Sequence, residues 1–366
     1  MHIKKLTLYS FRSYLNESIE LSPKVNIFVG DNGAGKTNIL ESIYSLASTK
    51  SYKNKDEDMI LEGKDFFKIS SEIELNNRID TLLFIMSRQG KKVFKNNVEI
   101  KKISEFVGNL NVVLFSPEDL FLLKAGPGER RKLIDLSLMQ ISKKYVEDYQ
   151  NFKKQLKLRN DYLKYLYPKY KDEGITEDEM LGILTLNFIN INKLIFEARE
   201  NFLKRLEDYT KVSYKELSGT NDDISFVYET NFDSSMDFFK EKYQSDIING
   251  STQFGCHRDD VRFLRNGIDL ESTASQGELR MLSLSIKIAL SRMIKDMKGE
   301  APVVLLDDVL SELDINHQNR LLSMLDRSMQ IIITTTDILK INSSSIKNAK
   351  LFKVEDKHVK EIQNGR

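Results

Sequence analysis

Two halves of one phosphate-binding site stand near opposite ends of this chain, and that separation constrains the fold more than any other feature. The first half is Gly30-Asp31-Asn32-Gly33-Ala34-Gly35-Lys36-Thr37, directly after the apolar run Val25-Asn26-Ile27-Phe28-Val29. It matches G-x-x-x-x-G-K-[ST] after a strand and before a helix, the context that gives this motif its meaning. The second half is Val303-Val304-Leu305-Leu306-Asp307-Asp308, an apolar strand ending in two carboxylates 270 positions after Thr37, counted to Asp307. A phosphate loop and the acidic strand that completes it must sit in one sheet. The chain ends therefore build one α/β head with a mixed sheet, and whatever lies between them is an insertion.

The residue types dictate the chemistry expected of that head. Glycines let backbone N–H groups turn inward on phosphates, and the N-terminus of the following helix adds its positive dipole end. Lys36 is expected on the β- and γ-phosphates, and Thr37 on Mg²⁺. Neighbours in an extended strand point to opposite faces, so Asp307 is expected to hold Mg²⁺, directly or through water, and Asp308 to polarise the attacking water. The next apolar strand, Ile331-Ile332-Ile333-Thr334-Thr335-Thr336, should end near the γ-phosphate, with Thr335 or Thr336 facing it. ATP and Mg²⁺ are the cofactors this arrangement requires.

Organisation along the chain supports an insertion. Short strands run through the first 116 residues, with hairpins expected around Asn76-Asn77 and Asn96-Asn97. From about Pro117 the apolar spacing turns helical. One stripe (Phe152, Leu156, Leu163, Leu166) is expected to break at residues 168–174. A longer stripe (Leu181, Leu184, Phe188, Ile191, Ile195, Phe202, Leu206, Tyr209) implies an arm of about 35 residues, roughly 50 Å long. Strands return after residue 222, and Asn266-Gly267 is a strong hairpin turn signal. The expected division is a head of residues 1–116 and 222–366, and a compact helical lobe of residues 117–221.

Composition narrows the partners. The 55 Lys and Arg nearly balance 54 Asp and Glu, for a net charge of +1, so a nucleic-acid surface must be a local patch. Three clusters qualify: Arg88, Lys91, Lys92 and Lys95; Arg130, Arg131 and Lys132; and Arg258, Arg262 and Arg265. Charge runs usually decorate solvated faces, and His257-Arg258-Asp259-Asp260 reads equally well as a structural ion-pair knot. One cysteine, Cys256, leaves no internal disulfide. No uninterrupted apolar run approaches the roughly 18 residues of a membrane span. With no signal-peptide pattern at the N-terminus, a cytoplasmic location is expected.

Ser275-Gln276-Gly277-Glu278 resembles the signature of ATP-binding cassette ATPases. The same residues also form an ordinary capping box before Leu279, Leu282 and Ile286, and the two readings are compatible, because a helix N-terminus with a free Ser and Gly is an anion site. Ser311-Glu312-Leu313-Asp314 follows the acidic strand at the spacing of the D-loop of such enzymes. These ATPases carry Glu where Asp308 stands and His where a Thr follows the next strand, which predicts slow hydrolysis. A transporter ATPase subunit would share the three motifs.

The ordered set of motifs, with a helical lobe of only about 100 residues, resembles the RecF family, short bacterial relatives of the SMC chromosome ATPases. The residues that carry the resemblance are Phe11-Arg12-Ser13-Tyr14, the phosphate loop, Phe115-Ser116-Pro117-Glu118-Asp119-Leu120 and Gly128-Glu129-Arg130-Arg131. They continue through residues 255–260, Ser275-Gln276-Gly277, residues 306–314 and residues 334–336. Cys256 departs from the family habit of Pro, and no Gln stands where a Q-loop would place one, so Ser116-Pro117-Glu118 is expected to serve instead. The resemblance implies an ABC/SMC-type ATPase that dimerises on ATP, with Arg12 and Ser13 at the nucleotide. It implies binding to gapped DNA, single strands or single/double-strand junctions, cooperation with RecO and RecR, and roles in replication, recombinational repair and the SOS response.

Overall fold

In the computed structural model, all residues are described except 54, 76, 125, 175–177, 326–327, 339–340, 342–347 and 363–366. Asn76, half of one expected turn, lies outside the described residues. Asn77, Asn96 and Asn266 all take positive φ, the left-handed conformation that tight hairpins require.

The described chain divides into two units. The first comprises residues 1–121, 209–222 and 275–366; the second comprises 122–208 and 223–274. This corrects the expected head at its C-terminal half. Strand Ile224–Glu229 pairs antiparallel with Asp260–Arg265, which pairs with Ile268–Asp269, and these three form a sheet of their own. Having no ladder to the head sheets, residues 223–274 group with the helices.

The first unit holds two six-stranded sheets. One is antiparallel and runs Tyr14–Glu20, His2–Phe11, Phe66–Leu75, Arg78–Ser87, Gly90–Lys95, Val98–Ile100 in spatial order. The other is mixed: His358–Ile362, Lys350–Glu355, Val25–Val29, Ile331–Thr335, Val303–Asp307, Val112–Phe115, parallel throughout except for the terminal hairpin. Its central strands are buried along their whole length, and they are apolar up to Asp307 and Thr334 at their C-terminal ends. Helix Lys36–Ser48 packs Ile39, Leu40, Ile43 and Leu46 into one core with Phe11, Phe28, Phe67 and Phe84.

The second unit is built on helices Pro127–Ile141, Lys143–Glu173 and Met236–Asn249 and on the first three-quarters of helix Glu179–Ser218. Helix Lys143–Glu173 runs through Pro168, where a break was expected, and stops at Gly174 in the left-handed conformation. Pro168 is exposed, so water can solvate the carbonyl that its missing N–H leaves free. Helix Glu179–Ser218 has 40 residues, about 60 Å. By length and composition alone it could cross a membrane, which a search for uninterrupted apolar runs misses. Its inward face, however, carries fully buried Thr185, Asn192 and Arg199 among Leu181, Phe188 and Ile195, the pattern of a core helix.

Candidate functional site: a nucleotide-binding centre in the head

Sheet register assembles the site. Val29 pairs with Thr335, Phe28 with Thr334, and Thr334 with Asp307, so the phosphate loop, the acidic strand end and the threonine strand end share one rim. Gly30 leaves its strand against the backbone of Val354, where an added Cβ would meet the carbonyl oxygen at 2.2 Å. Gly35 has φ +113, and an added Cβ there would lie 2.7 Å from the Tyr14 hydroxyl, which donates to the Gly35 carbonyl at 3.0 Å. Both positions exclude larger residues, and the loop shape follows. Asp31, Asn32 and Gly33 are exposed at its tip and Ala34 is half-buried. Ser13 accepts from the Asn38 side chain at 3.0 Å, which ties the strand-to-turn segment to the phosphate-loop helix.

Lys36 is buried, and its ammonium donates to the carbonyls of Gly30 and Asp31, each at 2.8 Å. Burial lowers its pKa, opposed by the charges of Asp308, Asp307 and Asp31. A charge held in that setting gains a strong partner when phosphate arrives. Asp307 is the hub. Its Oδ1 accepts from the Thr37 hydroxyl at 2.9 Å and the Thr334 hydroxyl at 2.8 Å, and its Oδ2 accepts from the Tyr52 hydroxyl at 3.1 Å. A buried carboxylate with a threonine hydroxyl on the phosphate loop is a hard oxygen set that suits Mg²⁺, which borrows its remaining ligands from phosphates and water. Among the described residues no cluster of three or more His, Cys, Asp or Glu offers a self-contained metal site, in keeping with that arrangement.

Three expectations for site residues are corrected. Asp308 does not alternate with Asp307 along the strand: it has left the strand, with φ 53, and caps the short helix Val309–Glu312. Its Oδ1 is buried without a hydrogen-bond partner among the described residues. Thr335 turns away from the metal side, its hydroxyl closing a local turn with Asp337, whereas Thr334 faces Asp307. Arg12 does not reach the phosphate loop. It makes a bidentate pair with Glu41 at 2.8 and 2.7 Å and donates to the Asp58 carbonyl. Glu41 is fully buried, so it holds the guanidinium firmly.

Ser275, Gln276 and Gly277 are exposed at the start of helix Gln276–Lys298, where the full capping box forms. Among the described residues none of their hydrogen bonds reaches the phosphate loop. Arg280 of this helix donates to the Glu312 carbonyl at 2.8 Å and pairs with its carboxylate, which ties Ser311-Glu312-Leu313-Asp314 to this helix. Lys287 pairs with Asp119 at 2.9 Å, and Asp119 accepts from the Ser116 N–H, anchoring the Ser116-Pro117-Glu118 turn.

The basic clusters separate sharply. Arg130 is buried in a bidentate pair with Asp260 and a second pair with Glu271. Arg131 is half-buried and donates to the Asp259 carbonyl. These two build the second unit and are withdrawn as DNA contacts, while exposed Lys132 pairs with Glu129 on its own helix. Lys91 pairs with Asp56 and Lys95 with Asp80, leaving Arg88 and Lys92 as the exposed cations of that hairpin that those bonds do not engage. Arg262 pairs with Glu229 and Asp269. Sequence reading missed Lys153, Lys154, Lys157 and Lys164. All four are exposed on helix Lys143–Glu173, and none has an ion pair among the described residues. It also missed Glu41, Tyr52 and Thr334, since each acquires its role from a partner distant in sequence.

The family model described as RecF/RecN/SMC N terminal domain matches residues 2–360. "DNA replication and repair protein RecF" of Listeria monocytogenes serotype 4b (strain F2365) is 36% identical over 375 residues, covering 98% of this chain and all of that one. Its counterpart in Clostridium perfringens (strain 13 / Type A) is 37% identical over 364 residues, covering 97% of this chain and 98% of the relative. A solved structure of the recombination mediator protein RecF with ATP superposes with a TM-score of 0.88 at 28% identity, covering 99% of this chain and 98% of that one. An Smc head bound to the C-winged helix domain of ScpA shares the fold, with a TM-score of 0.56 at 16% identity. With the phosphate loop, the acidic strand and the signature helix in place along its whole length, the chain is an ABC/SMC-type ATPase and belongs to the RecF family.

Proposed function

We propose that this chain is an ATP-dependent DNA clamp for replication and recombinational gap repair: two copies close on two ATP molecules, hold DNA, and reopen through slow hydrolysis. The observation that carries this reading is an incomplete site. The phosphate loop, Asp307 and Asp308 are gathered in one head, while Ser275-Gln276-Gly277 stands exposed at a helix N-terminus, bound to the D-loop through Arg280. An exposed anion site of this kind suits the γ-phosphate of a second copy.

Within the closed site, Lys36 would meet the β- and γ-phosphates, and Thr37 and Asp307 would hold Mg²⁺, whose chemistry there would be to neutralise phosphate charge. Asp308 presents its free carboxylate oxygen to the attacking water. The shorter reach of Asp relative to Glu, and a Thr rather than an imidazole at the end of strand Ile331–Thr335, favour slow turnover, which suits a clamp more than a motor. Relatives carry the name of a DNA replication and repair protein, and one neighbour is described within the RecFOR pathway; action in the bacterial cytoplasm with RecO and RecR, and support of the SOS response, belong to this proposal. Full-length similarity to RecF makes a transporter subunit the weaker alternative.

Sedimentation velocity tests the clamp. Wild type should be monomeric without nucleotide and dimeric with ATP. Ser275→Arg should bind ATP as a monomer yet fail to dimerise. A variant that still dimerises with ATP rules out a site shared between copies.

A further inference from the structure

The geometry points to Tyr52 as a positioning residue for the magnesium carboxylate: its hydroxyl clamps Asp307 Oδ2 and leaves Oδ1 to face the metal. This rests on the proposed Mg²⁺ role of Asp307. The three hydroxyls on Asp307 are divided by oxygen. Thr37 and Thr334 share Oδ1, and Tyr52 alone among the described residues takes Oδ2. A carboxylate on a strand end can rotate about its last bond, and a donor on one oxygen fixes which oxygen points at the cation.

The segment that delivers Tyr52 is pinned on both sides. The Ser51 hydroxyl donates to Glu41 at 2.6 Å, and the Ser51 N–H donates to Asp56 at 2.8 Å. Asp56 is paired with Lys91, whose ammonium also donates to the Thr49 carbonyl at 2.7 Å. Glu41, in turn, is held by Arg12. The Tyr52 ring packs edge-on against Tyr44, with centroids 5.3 Å apart. Such a strap is more than a surface loop requires. It fixes one phenol against one carboxylate oxygen from a segment outside the recognised motifs.

Tyr52→Phe in the full-length protein removes the hydroxyl and keeps the ring, so packing on Tyr44 survives. The probe is AMP-PNP binding at a series of free Mg²⁺ concentrations, with a parallel titration in EDTA. The Mg²⁺ midpoint should rise about tenfold, the usual scale for loss of a group that orients a metal ligand, while AMP-PNP affinity in EDTA stays at the wild-type value. Steady-state ATPase of the variant should recover at high Mg²⁺, which a general loosening of the fold would not allow. An unchanged midpoint overturns the assignment, and so does an equal loss of affinity in EDTA, because that marks Tyr52 as structural only. Asp307→Ala is the reference: if it too leaves the Mg²⁺ midpoint unmoved, the metal-carboxylate reading falls with the Tyr52 role.

Discussion

At the scale of single residues, the strand end at Thr334 and Thr335 shows what pairing adds to pattern. The run of three threonines marks the strand end expected to meet the γ-phosphate, but only the register Thr334↔Asp307 decides which hydroxyl turns to Asp307. The same holds for Asp308. Period-two alternation gave it the face opposite Asp307, yet its positive φ carries it out of the strand, and both carboxylates act electrostatically on Lys36. The role expected of Asp308 stands as a proposal, supported by one carboxylate oxygen without a partner among the described residues. Asp308→Asn should therefore leave ATP binding intact, since Lys36, Thr37 and Asp307 remain, and lower kcat by about two to four orders of magnitude, the contribution of a positioned general base. Dimers formed with ATP should then persist for longer. Steady-state ATPase equal to wild type would move the base elsewhere.

At the scale of elements, the head strands and the two long helices were legible, and the contacts that hold the second unit together were not, for a physical reason. Strands buried on both faces announce themselves as apolar runs, and a phosphate loop between strand and helix has a fixed spelling. The second unit instead keeps its helices together with buried ion pairs: Arg199 with Asp135 and the Cys256 carbonyl, and Arg159 with Asp246 and Thr252. In sequence such residues read as surface charge. Arg130 belongs to this group, which is why a basic run at a helix start was mistaken for a DNA-facing cluster. The strands after residue 222 were visible as strands; what the sequence pattern could not supply was their partner, and with it their unit. Arg130→Ala should accordingly destabilise the protein, by about 2–3 kcal/mol for a broken, partly buried pair, with Asp260 left without its guanidinium. Denaturant unfolding should register that loss. A fully stable Arg130→Ala protein with weakened DNA binding would return Arg130 to the DNA surface.

At the scale of the whole molecule, a net charge of +1 in 366 residues gives no general attraction for DNA, so binding depends on cations that the fold leaves unpaired. Lys153, Lys157 and Lys164 recur at spacings of four and seven, on one face of helix Lys143–Glu173, with Lys154 beside them. The spacing of a straight helix spreads these charges along about 17 Å, enough to meet several phosphates. Two copies joined by ATP present the face twice, and a second foothold raises affinity through effective concentration. DNA binding should thus be stronger with ATP than without it, fall steeply with salt, and depend little on base sequence, since backbone contacts carry no sequence information. The triple substitution Lys153→Glu, Lys154→Glu and Lys157→Glu lies on exposed positions and should leave folding and ATP binding unchanged. Fluorescence anisotropy on gapped DNA should show a weaker complex whose salt slope is smaller by roughly one unit per lost contact. If affinity and slope both match wild type, this helix does not touch DNA, and the search passes to Arg88 and Lys92 on the head hairpin. If instead DNA affinity is the same with and without ATP, under conditions where the dimer is seen to form, the clamp itself fails, because dimerisation would then add nothing to the hold on DNA.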